Sequence, residues 1–494
     1  MPGRSARHAD STGRLPVIAA ALAVAVALTA GSNGYGWHRD ELYFRMLPPA
    51  WGYVDQPPLL PLIVRFLSGT VADEPWAIRL PATLSATLAT FVLVAIVREL
   101  DGGRVAQVLC AWGYASSSIA LAFGHVMLTT SIDLLVWPLV CLCVLRAVVR
   151  DQPRWWVLAG LVVGLSMYNK LLIALLLVGL ALGLLLAGPR RPLTTRWPYL
   201  AVAVALAVGA PNLIYQFTHD WPQLSMGAAL AVRNTDRVRS TLPVFLPLLL
   251  GPPLLPVLVA GVVAPFRTAG LRIARWLSVA LIVVVVATFL GGTQFYYPAP
   301  LMLVVFAVGC VPAGAWLAER TGWRAVAVVL VALNGAVAAT ISLPIVPGRL
   351  VGDTPLPGMN AVVSDTIGWP TYVDQIAAVY LGLPPAERAR TVIVTANYGE
   401  AGAVARFGPE RGLPAAYSGH NGLADLPGPP DSTTTAVVVG RAAPTRALFD
   451  RCTSVTSLDN GLGVDNQEQE QPVLVCRGPI GGWSAVWPAL RQQS

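Results

Sequence analysis

Charged residues are scarce in this chain of 494 residues, since Asp, Glu, Lys and Arg together make up only 12%. A soluble globular protein carries about 25%, whereas 55% of these residues are hydrophobic and the mean hydropathy is +0.61. Repeated apolar runs of about 20 residues have the length that a helix needs to cross the hydrocarbon core of a bilayer. The scarcity of charge therefore excludes a soluble globular protein and predicts a polytopic membrane protein.

Lysine is almost absent, because Lys170 is the single lysine among 34 basic residues. The arginines lie largely in short loops beside apolar runs, so the net charge of +8 indicates membrane topology and not a nucleic-acid partner. Cysteine is also scarce, at six residues. The sequence shows neither metal-ligand spacing nor a Gly-rich nucleotide loop. It therefore demands no cofactor and leaves a divalent metal open.

The apolar runs predict eleven transmembrane helices within residues 15–343, preceded by a cytoplasmic tail at 1–14. A signal peptide is the alternative for the first run, but it shows no convincing cleavage site. Arginines at nearly every predicted inner turn place the N-terminus in the cytoplasm and the C-terminus outside. The predicted spans cover residues 15–30, 80–96, 104–123, 132–145, 155–167, 171–187, 198–215, 242–263, 276–290, 301–317 and 325–343.

The composition changes at Pro344, where Gly, Pro, Asp, Ser and Thr become frequent and no apolar run is long enough to span. Short β-branched runs at 391–395 and 436–439 alternate with helical patterns, which predicts an extracytoplasmic α/β domain at 344–494. Cys452 and Cys476 fall in this domain, where they are candidates for a disulfide. The other four cysteines lie within predicted spans and are expected to be small apolar residues.

A long polar loop at 32–79 separates the first two predicted spans, although a connector between two helices needs far fewer residues. It carries the adjacent acids Asp40 and Glu41 and a further acid, Asp55, among aromatic residues and prolines. A carboxylate near a substrate hydroxyl is a candidate general base. The alternative is that the acids are merely solvated, which is the usual case for an acidic loop.

Other polar residues are predicted to converge on the same outer side. Ionisable residues near membrane spans are costly and usually functional, and a lysine can neutralise a phosphate as a point charge. Each also has a structural alternative: a lysine can snorkel to the headgroups, tyrosines can form an interfacial belt, and a buried acid can pair with the lysine. Each alternative is a good explanation of its own residue, but together they explain poorly why all of these residues occur in one chain. The converging residues are Asn169 and Lys170 in one turn and Tyr296 and Tyr297 in another. Asp133, early in the fourth span, and His125, which as a lone histidine has an ordinary interfacial position as its alternative, are further candidates.

Two motifs in the outer loop resemble a known family. His38-Arg-Asp-Glu-Leu-Tyr-Phe44 and Gly52-Tyr-Val-Asp-Gln-Pro-Pro-Leu59 are similar to the first outer loop of bacterial glycosyltransferase family 39 proteins, relatives of the protein O-mannosyltransferases and of the aminoarabinose transferase that modifies lipid A. The resemblance covers nearly the whole chain through shorter motifs: Gly124-His125, Ser131-Ile-Asp133, Asn169-Lys170, Pro211-Asn212, Tyr296-Tyr297-Pro298, Asn397-Tyr-Gly-Glu-Ala-Gly402 and Ser418-Gly-His-Asn421. It implies a mostly α membrane fold of the GT-C type with a C-terminal α/β domain.

The resemblance also implies roles for the acids of the loop. Asp40 matches the catalytic base, and Glu41 matches an acid that helps to hold the acceptor. Asp55 stands where the aminoarabinose transferases have a glutamate before Lys-Pro, but Gln56 follows it here, so the lysine of that motif is missing. The three acids are therefore the predicted catalytic residues.

The remaining candidates are assigned to the donor in the same way. Lys170 matches a lysine that contacts the donor's lipid phosphate, and the two tyrosines fall where a related outer loop lines the donor pocket. The predicted donor-binding residues are Arg39, His125, Lys170, Tyr296 and Tyr297, with Asp133 and Asn169 in supporting structural positions.

These residues predict an enzyme that moves a sugar from a polyprenyl-phosphate donor to an acceptor hydroxyl at the outer face of the membrane, with inversion. The sugar stays open between mannose, arabinose or another, and the acceptor between protein, glycan and lipid. The alternative function is a lipid or sugar transporter or flippase, but the sequence shows no inverted repeat of interrupted helices. A membrane scaffold or sensor would explain the external domain but not the acids and the lysine.

Overall fold

The computed structural model describes residues 14–493, so the predicted tail lies outside the described residues except for Arg14. The first part of the chain is entirely helical. Its helices are α1 (Leu15–Gly31), α2 (Arg39–Met46), α3 (Leu59–Thr70), α4 (Pro75–Ile78), α5 (Leu80–Glu99), α6 (Arg104–Ala115), α7 (Ser118–His125), α8 (Thr129–Arg150), α9 (Pro153–Ser166), α10 (Ile173–Ala187), α11 (Trp197–Thr218), α12 (Pro222–Leu250), α13 (Leu255–Arg267), α14 (Arg275–Gly291), α15 (Ala299–Glu319) and α16 (Thr321–Ser342).

Six helices of the described chain are long and apolar enough to cross a membrane, or up to eight if each of two bent pairs forms one span. The bent pairs are α6 with α7, at 48°, and α12 with the helical segment Pro252–Arg267, at 80°. Helices α1 and α10 are apolar but shorter. Every predicted apolar run is helical, while the number of eleven spans stays a prediction. The six helices are α5, α8, α11, α15, α16 and the segment Ala269–Gly291, which contains α14.

The predicted eighth span, residues 242–263, is not one continuous helix. Helix α12 begins at Pro222 and ends before Gly251. Gly251 has φ +104°, and a Cβ there would lie 1.8 Å from Asn334 Oδ1, so only glycine fits. Prolines follow, and they cannot donate the next helical hydrogen bonds. Asn334 Nδ2 donates to Leu250 O at 3.1 Å and to Ser116 O at 2.9 Å. A neighbouring helix thus satisfies the freed carbonyl, as a kink within a membrane requires.

The acidic outer loop folds into α2, α3 and α4, and a buried ion pair fixes α2. Glu41 is 0% exposed and receives two hydrogen bonds of 2.8 Å from Arg79, which is 1% exposed. The backbone amides of His38 and Met127 also donate to Glu41, both at 2.9 Å. Buried charges persist only when they are paired and hydrogen-bonded. The pair therefore anchors α2 on the membrane domain.

The rest of the chain forms a five-stranded sheet with helices around it, which confirms the predicted α/β character. The strand order is β2-β1-β3-β5-β4, in which β1 pairs in parallel with β2 and β3, while β5 runs antiparallel to β3 and β4. The elements are α17 (Gly348–Val351), α18 (Leu356–Met359), α19 (Ala361–Ser364), α20 (Trp369–Leu381), α21 (Pro385–Arg388), β1 (Thr391–Thr395), α22 (Tyr398–Phe407), β2 (Ala416–Ser418), β3 (Thr435–Val439), α23 (Ala442–Arg446), β4 (Phe449–Ser457), β5 (Pro472–Pro479) and α24 (Trp483–Leu490).

The two cysteines of this domain form a disulfide. Cys452 on β4 and Cys476 on β5 are directly opposite in the antiparallel ladder and bonded to each other. The other four cysteines are free and buried within membrane helices. The candidate disulfide is thus present, and the other four cysteines are buried as expected, while the external location of the domain stays a prediction.

The C-terminal domain docks on α2 through α22, the helix that follows β1. Asn397 caps α22 by accepting from the Glu400 amide at 2.9 Å, while the Glu400 carboxylate accepts from the Asn397 amide at 3.1 Å. A Cβ on Gly402 of α22 would lie 2.7 Å from the backbone of Leu42 in α2. The glycine therefore allows the two helix backbones to meet.

A buried acid pair lies beside this contact. Glu400 is 2% exposed and Glu468 is 0% exposed, and the Asn397 side chain donates to Glu468 at 3.1 Å. Burial raises the pKa of Glu400 to about 8, and the charge of Glu468 adds to this effect. Arg39 of α2 opposes the shift and also donates a hydrogen bond to Gln467.

We expect Glu41→Gln to destabilise the protein, because it leaves Arg79 charged and buried without its counter-ion. Breaking one partner of a buried pair costs about 3–5 kcal/mol. The measurement is the thermal unfolding midpoint in detergent. The double variant Glu41→Gln/Arg79→Leu should recover part of the loss, since no charge then remains buried. If the midpoint is unchanged and the KM for acceptor is raised, Glu41 helps to hold the acceptor and does not stabilise the fold.

The pKa of Glu400 predicts a pH-dependent stability. The folded value of about 8 lies above the ordinary value of 4.5, so the folded state binds more protons between these limits. Stability should therefore fall as the pH rises from about 4.5 to about 8. Glu400→Gln should flatten this slope in pH-dependent unfolding of the full chain. The exposed Glu410→Gln is the control and should keep the slope; equal slopes in both variants would refute the assignment.

Candidate active site

Asp40 lies on the first turn of α2, at the seam between the membrane part and the C-terminal domain. Its amide donates to Nδ1 of the helix-capping His38 at 3.2 Å. Its carboxylate Oδ1 accepts a 2.9 Å hydrogen bond from the hydroxyl of Tyr398, the first residue of α22. The side chain is half-buried, so the carboxylate is oriented and still accessible. The predicted base thus has the exposure that proton transfer to it requires.

Asp55 occupies the same seam and is bound from both sides. Its Oδ1 accepts from the Tyr43 hydroxyl of α2 at 3.1 Å, and its Oδ2 accepts from Asn421 Nδ2 of the C-terminal domain at 3.4 Å. The Tyr43 oxygen in turn accepts from the Gly422 amide at 3.0 Å. Burial raises the pKa of Asp55 to about 7, while the hydrogen bond from Tyr43 opposes the rise. Asp55 therefore joins the two parts of the protein beside Asp40.

Lys170 lies in the turn between α9 and α10 with three of the residues predicted to accompany it. Its Nζ is 4.3 Å from the centre of the Tyr297 ring, a cation–π contact. Its charge acts on the buried Asp133 of α8, whose Oδ1 accepts from Asn169 Nδ2 at 3.1 Å. Asn169 also donates to Thr129 O at 2.9 Å. The turn is thus fixed on α8 with the lysine half-buried at its end.

Tyr296 connects this cluster to the acidic seam. Its ring lies 5.1 Å from that of Phe123 and, edge on, 5.5 Å from that of Tyr297. Burial raises its pKa, with smaller contributions from the charges of Tyr297, Asp40 and Asp133. The structure therefore brings Asp40, the two tyrosines and the Lys170 cluster to one region.

Three further predicted site residues make contacts that their predicted roles do not include. Glu41 has no exposed surface, and its oxygens are occupied by Arg79 and two amides, so it has no position from which to hold an acceptor. Arg39 lies 4.8 Å over the Tyr398 ring and donates a hydrogen bond to Gln467. His125 is buried at the end of α7, within electrostatic reach of Arg79 and against Gly31 of α1.

Sequence reasoning missed several residues that complete the site. Tyr398 and Asn421 stand within motifs that were recognised only as features of the tail. Arg79 lies at the end of the loop, with no local signal of its partner.

Residues 14–493 contain no group of three His, Cys, Asp or Glu side chains placed to hold a metal ion. Asp40 and Asp55, the two acids of the seam, are each engaged by a tyrosine. These residues do not fit a metal site, and we derive no chemical step through one.

A family model described as dolichyl-phosphate-mannose-protein mannosyltransferase matches residues 55–215. This range contains Asp55, Asp133, Asn169 and Lys170 but begins after Asp40. A comparison with curated proteins finds no match.

Solved structures show the same fold over nearly the whole chain. ArnT from Cupriavidus metallidurans bound to undecaprenyl phosphate matches with a TM-score of 0.57 at 16% identity, covering 94% of this chain and 98% of that chain. The apo state of that protein matches with a TM-score of 0.52 at 15% identity and the same coverage. The chain thus shares its fold with ArnT, and residues 55–215 are similar to the mannosyltransferase family model.

Proposed function

We propose that this protein transfers a sugar from a polyprenyl-phosphate donor to an acceptor hydroxyl at the outer face of the membrane, with inversion. The observation that carries the proposal is the half-buried Asp40 at the seam, within electrostatic reach of Tyr296, which packs beside the Lys170 cluster. The fold is shared with a protein whose crystal structure contains undecaprenyl phosphate, which supports a polyprenyl-phosphate donor.

The outer location of the site is part of this proposal. The C-terminal domain carries the Cys452–Cys476 disulfide, and disulfides persist in oxidising compartments outside the cytoplasm. Because Asp40 contacts this domain, the catalytic seam lies on the same side of the membrane. The N-terminus is then cytoplasmic if the number of spans is odd.

The base acts on the acceptor. One oxygen of Asp40 is held by Tyr398, and the other accepts the proton of the acceptor hydroxyl as its oxygen attacks the anomeric carbon. The bond between that carbon and the phosphate oxygen breaks from the opposite face, and the phosphate leaves with the bonding electrons. Attack from one face and departure from the other invert the anomeric centre.

Lys170 acts on the leaving group. Negative charge increases on the lipid phosphate as it departs, and a fixed cation near low-dielectric surroundings stabilises that charge. The Tyr297 ring under Nζ and the Asn169–Asp133 hydrogen bond hold the turn in position for this contact. The donor carries its own activation, so no nucleotide site is needed.

We expect Asp40→Asn to lower the single-turnover rate of sugar transfer by about 10²–10⁴-fold, because the amide cannot accept the proton. Donor binding should survive, since Lys170 and Tyr297 remain. The acceptor is first identified by comparing the envelope glycans of a deletion strain with those of wild type. Rates are then measured in lipid with polyprenyl-phosphate mannose and arabinose as trial donors.

The exposed Asp353→Asn serves as the matched control and should transfer at the wild-type rate. A normal rate for Asp40→Asn, with transfer abolished by Asp55→Asn, would assign the base to Asp55 instead. Unchanged envelope glycans in the deletion strain, with lost lipid or sugar transport, would favour the flippase function.

We expect Lys170→Ala to raise the KM for donor or to lower kcat without changing the unfolding midpoint, because it removes the cation from the phosphate. Lys170→Arg should restore part of the activity, since the charge remains but its geometry changes. The measurement is steady-state transfer at varied donor concentration. Wild-type kinetics in both variants would leave the lysine only a snorkelling role at the headgroups.

A further inference from the structure

Tyr398 is presented by the edge of the sheet at which open α/β folds bind their ligands. It is the first residue of α22, directly after the carboxyl end of β1, whose neighbours β2 and β3 lie on either side of it. Crevices outside the carboxyl ends of parallel strands at such a point are the usual binding place. Here that edge faces α2, so the tyrosine projects into the membrane part and not into a cleft of its own domain.

The ring of Tyr398 is held by both parts of the protein. It stacks on His420 with ring centroids 4.9 Å apart, and the Tyr398 amide donates to His420 Nδ1 at 3.2 Å. On the other side its centroid lies 4.6 Å from that of Tyr43 in α2, and the Arg39 guanidinium is 4.8 Å away. The ring therefore has little freedom to move.

In this geometry the Tyr398 hydroxyl acts as a hydrogen-bond donor to Asp40. An ionised carboxylate can only accept hydrogen bonds, so the tyrosine donates to Asp40 Oδ1 at 2.9 Å. Burial raises the pKa of Tyr398 well above its ordinary value, which keeps the proton on the hydroxyl. Rotation of the Asp40 carboxylate is then limited, because one of its two oxygens is fixed.

We infer that Tyr398 is a positioning residue of the active site, supplied by the C-terminal domain, which orients the Asp40 carboxylate so that its second oxygen meets the acceptor hydroxyl. The inference rests on the proposed function, in which Asp40 is the base. It makes the catalytic centre composite: the base stands on α2, and the group that orients the base comes from a domain 358 residues later in the chain. Transfer then requires that this domain be docked.

The test is a double-mutant cycle in the full-length protein in lipid. Tyr398→Phe keeps the ring contacts with His420, Tyr43 and Arg39 and removes only the hydroxyl. We expect the single-turnover rate to fall by about 10- to 100-fold, the range for a hydrogen bond to a charged group, with the donor KM unchanged. Rates are normalised to the protein that binds donor, so partial misfolding does not mimic the effect.

The decisive comparison adds Tyr398→Phe to Asp40→Asn. If the tyrosine acts through Asp40, the second substitution should cause almost no further loss, because coupled residues are not additive. The matched control is Tyr417→Phe on β2. The Tyr417 ring lies against Trp487 of α24, and this variant should keep the wild-type rate.

Two outcomes overturn the inference and leave the proposed function standing: a wild-type rate for Tyr398→Phe, or full multiplication of the two losses in the double variant. A wild-type rate for Asp40→Asn instead removes the base on which both depend. The two failures are therefore distinguishable by which single variant keeps its activity.

Discussion

The buried pair of Glu41 and Arg79 is the constraint on which the rest of the site depends. It fixes the short helix α2 against the membrane part, and α2 carries Asp40 toward the C-terminal domain. Neighbouring residues on an α-helix point in directions about 100° apart. One acid of the Asp-Glu pair can therefore be buried as an anchor while the other stays accessible. Adjacent acids that look equivalent in the sequence thus have separate physical roles.

The two charged groups of the site, Asp40 and Lys170, each contact a tyrosine and not each other in the described structure. Asp40 stands on α2 with Tyr398, and Lys170 stands over Tyr297 in the turn after α9. Tyr296 packs against Tyr297 and is within electrostatic reach of Asp40. A direct pair of Asp40 with Lys170 would neutralise both charges before any substrate bound. Separation leaves the anion for the acceptor proton and the cation for the departing phosphate, which the proposed reaction needs at the same moment.

The features that could be predicted from the sequence are those that depend on residues close together in the chain. Hydropathy located the helices, the change of composition at Pro344 located the C-terminal α/β domain, and its two cysteines form the disulfide. Short spacing also explains why Asn169 and Lys170 were found together. The ion pair of Glu41 was not predicted, because its partner Arg79 lies 38 residues away and nothing in the loop marks it. Tyr398 is 358 residues from Asp40, a distance at which only tertiary packing creates the contact.

Because the site lies between the membrane part and the C-terminal domain, it depends on how the two parts are held together. The lipid tail of the proposed donor would lie in the bilayer, whereas Tyr398 and Asn421, which bind Asp40 and Asp55, belong to the C-terminal domain. The contacts of α2 with that domain include the close approach at Gly402 and the buried acids near Arg39. Burial of Glu400 and Glu468 is stable only while a proton or Arg39 offsets their charge. Docking of the domain, orientation of the base and protonation of these acids are therefore linked through the same helix.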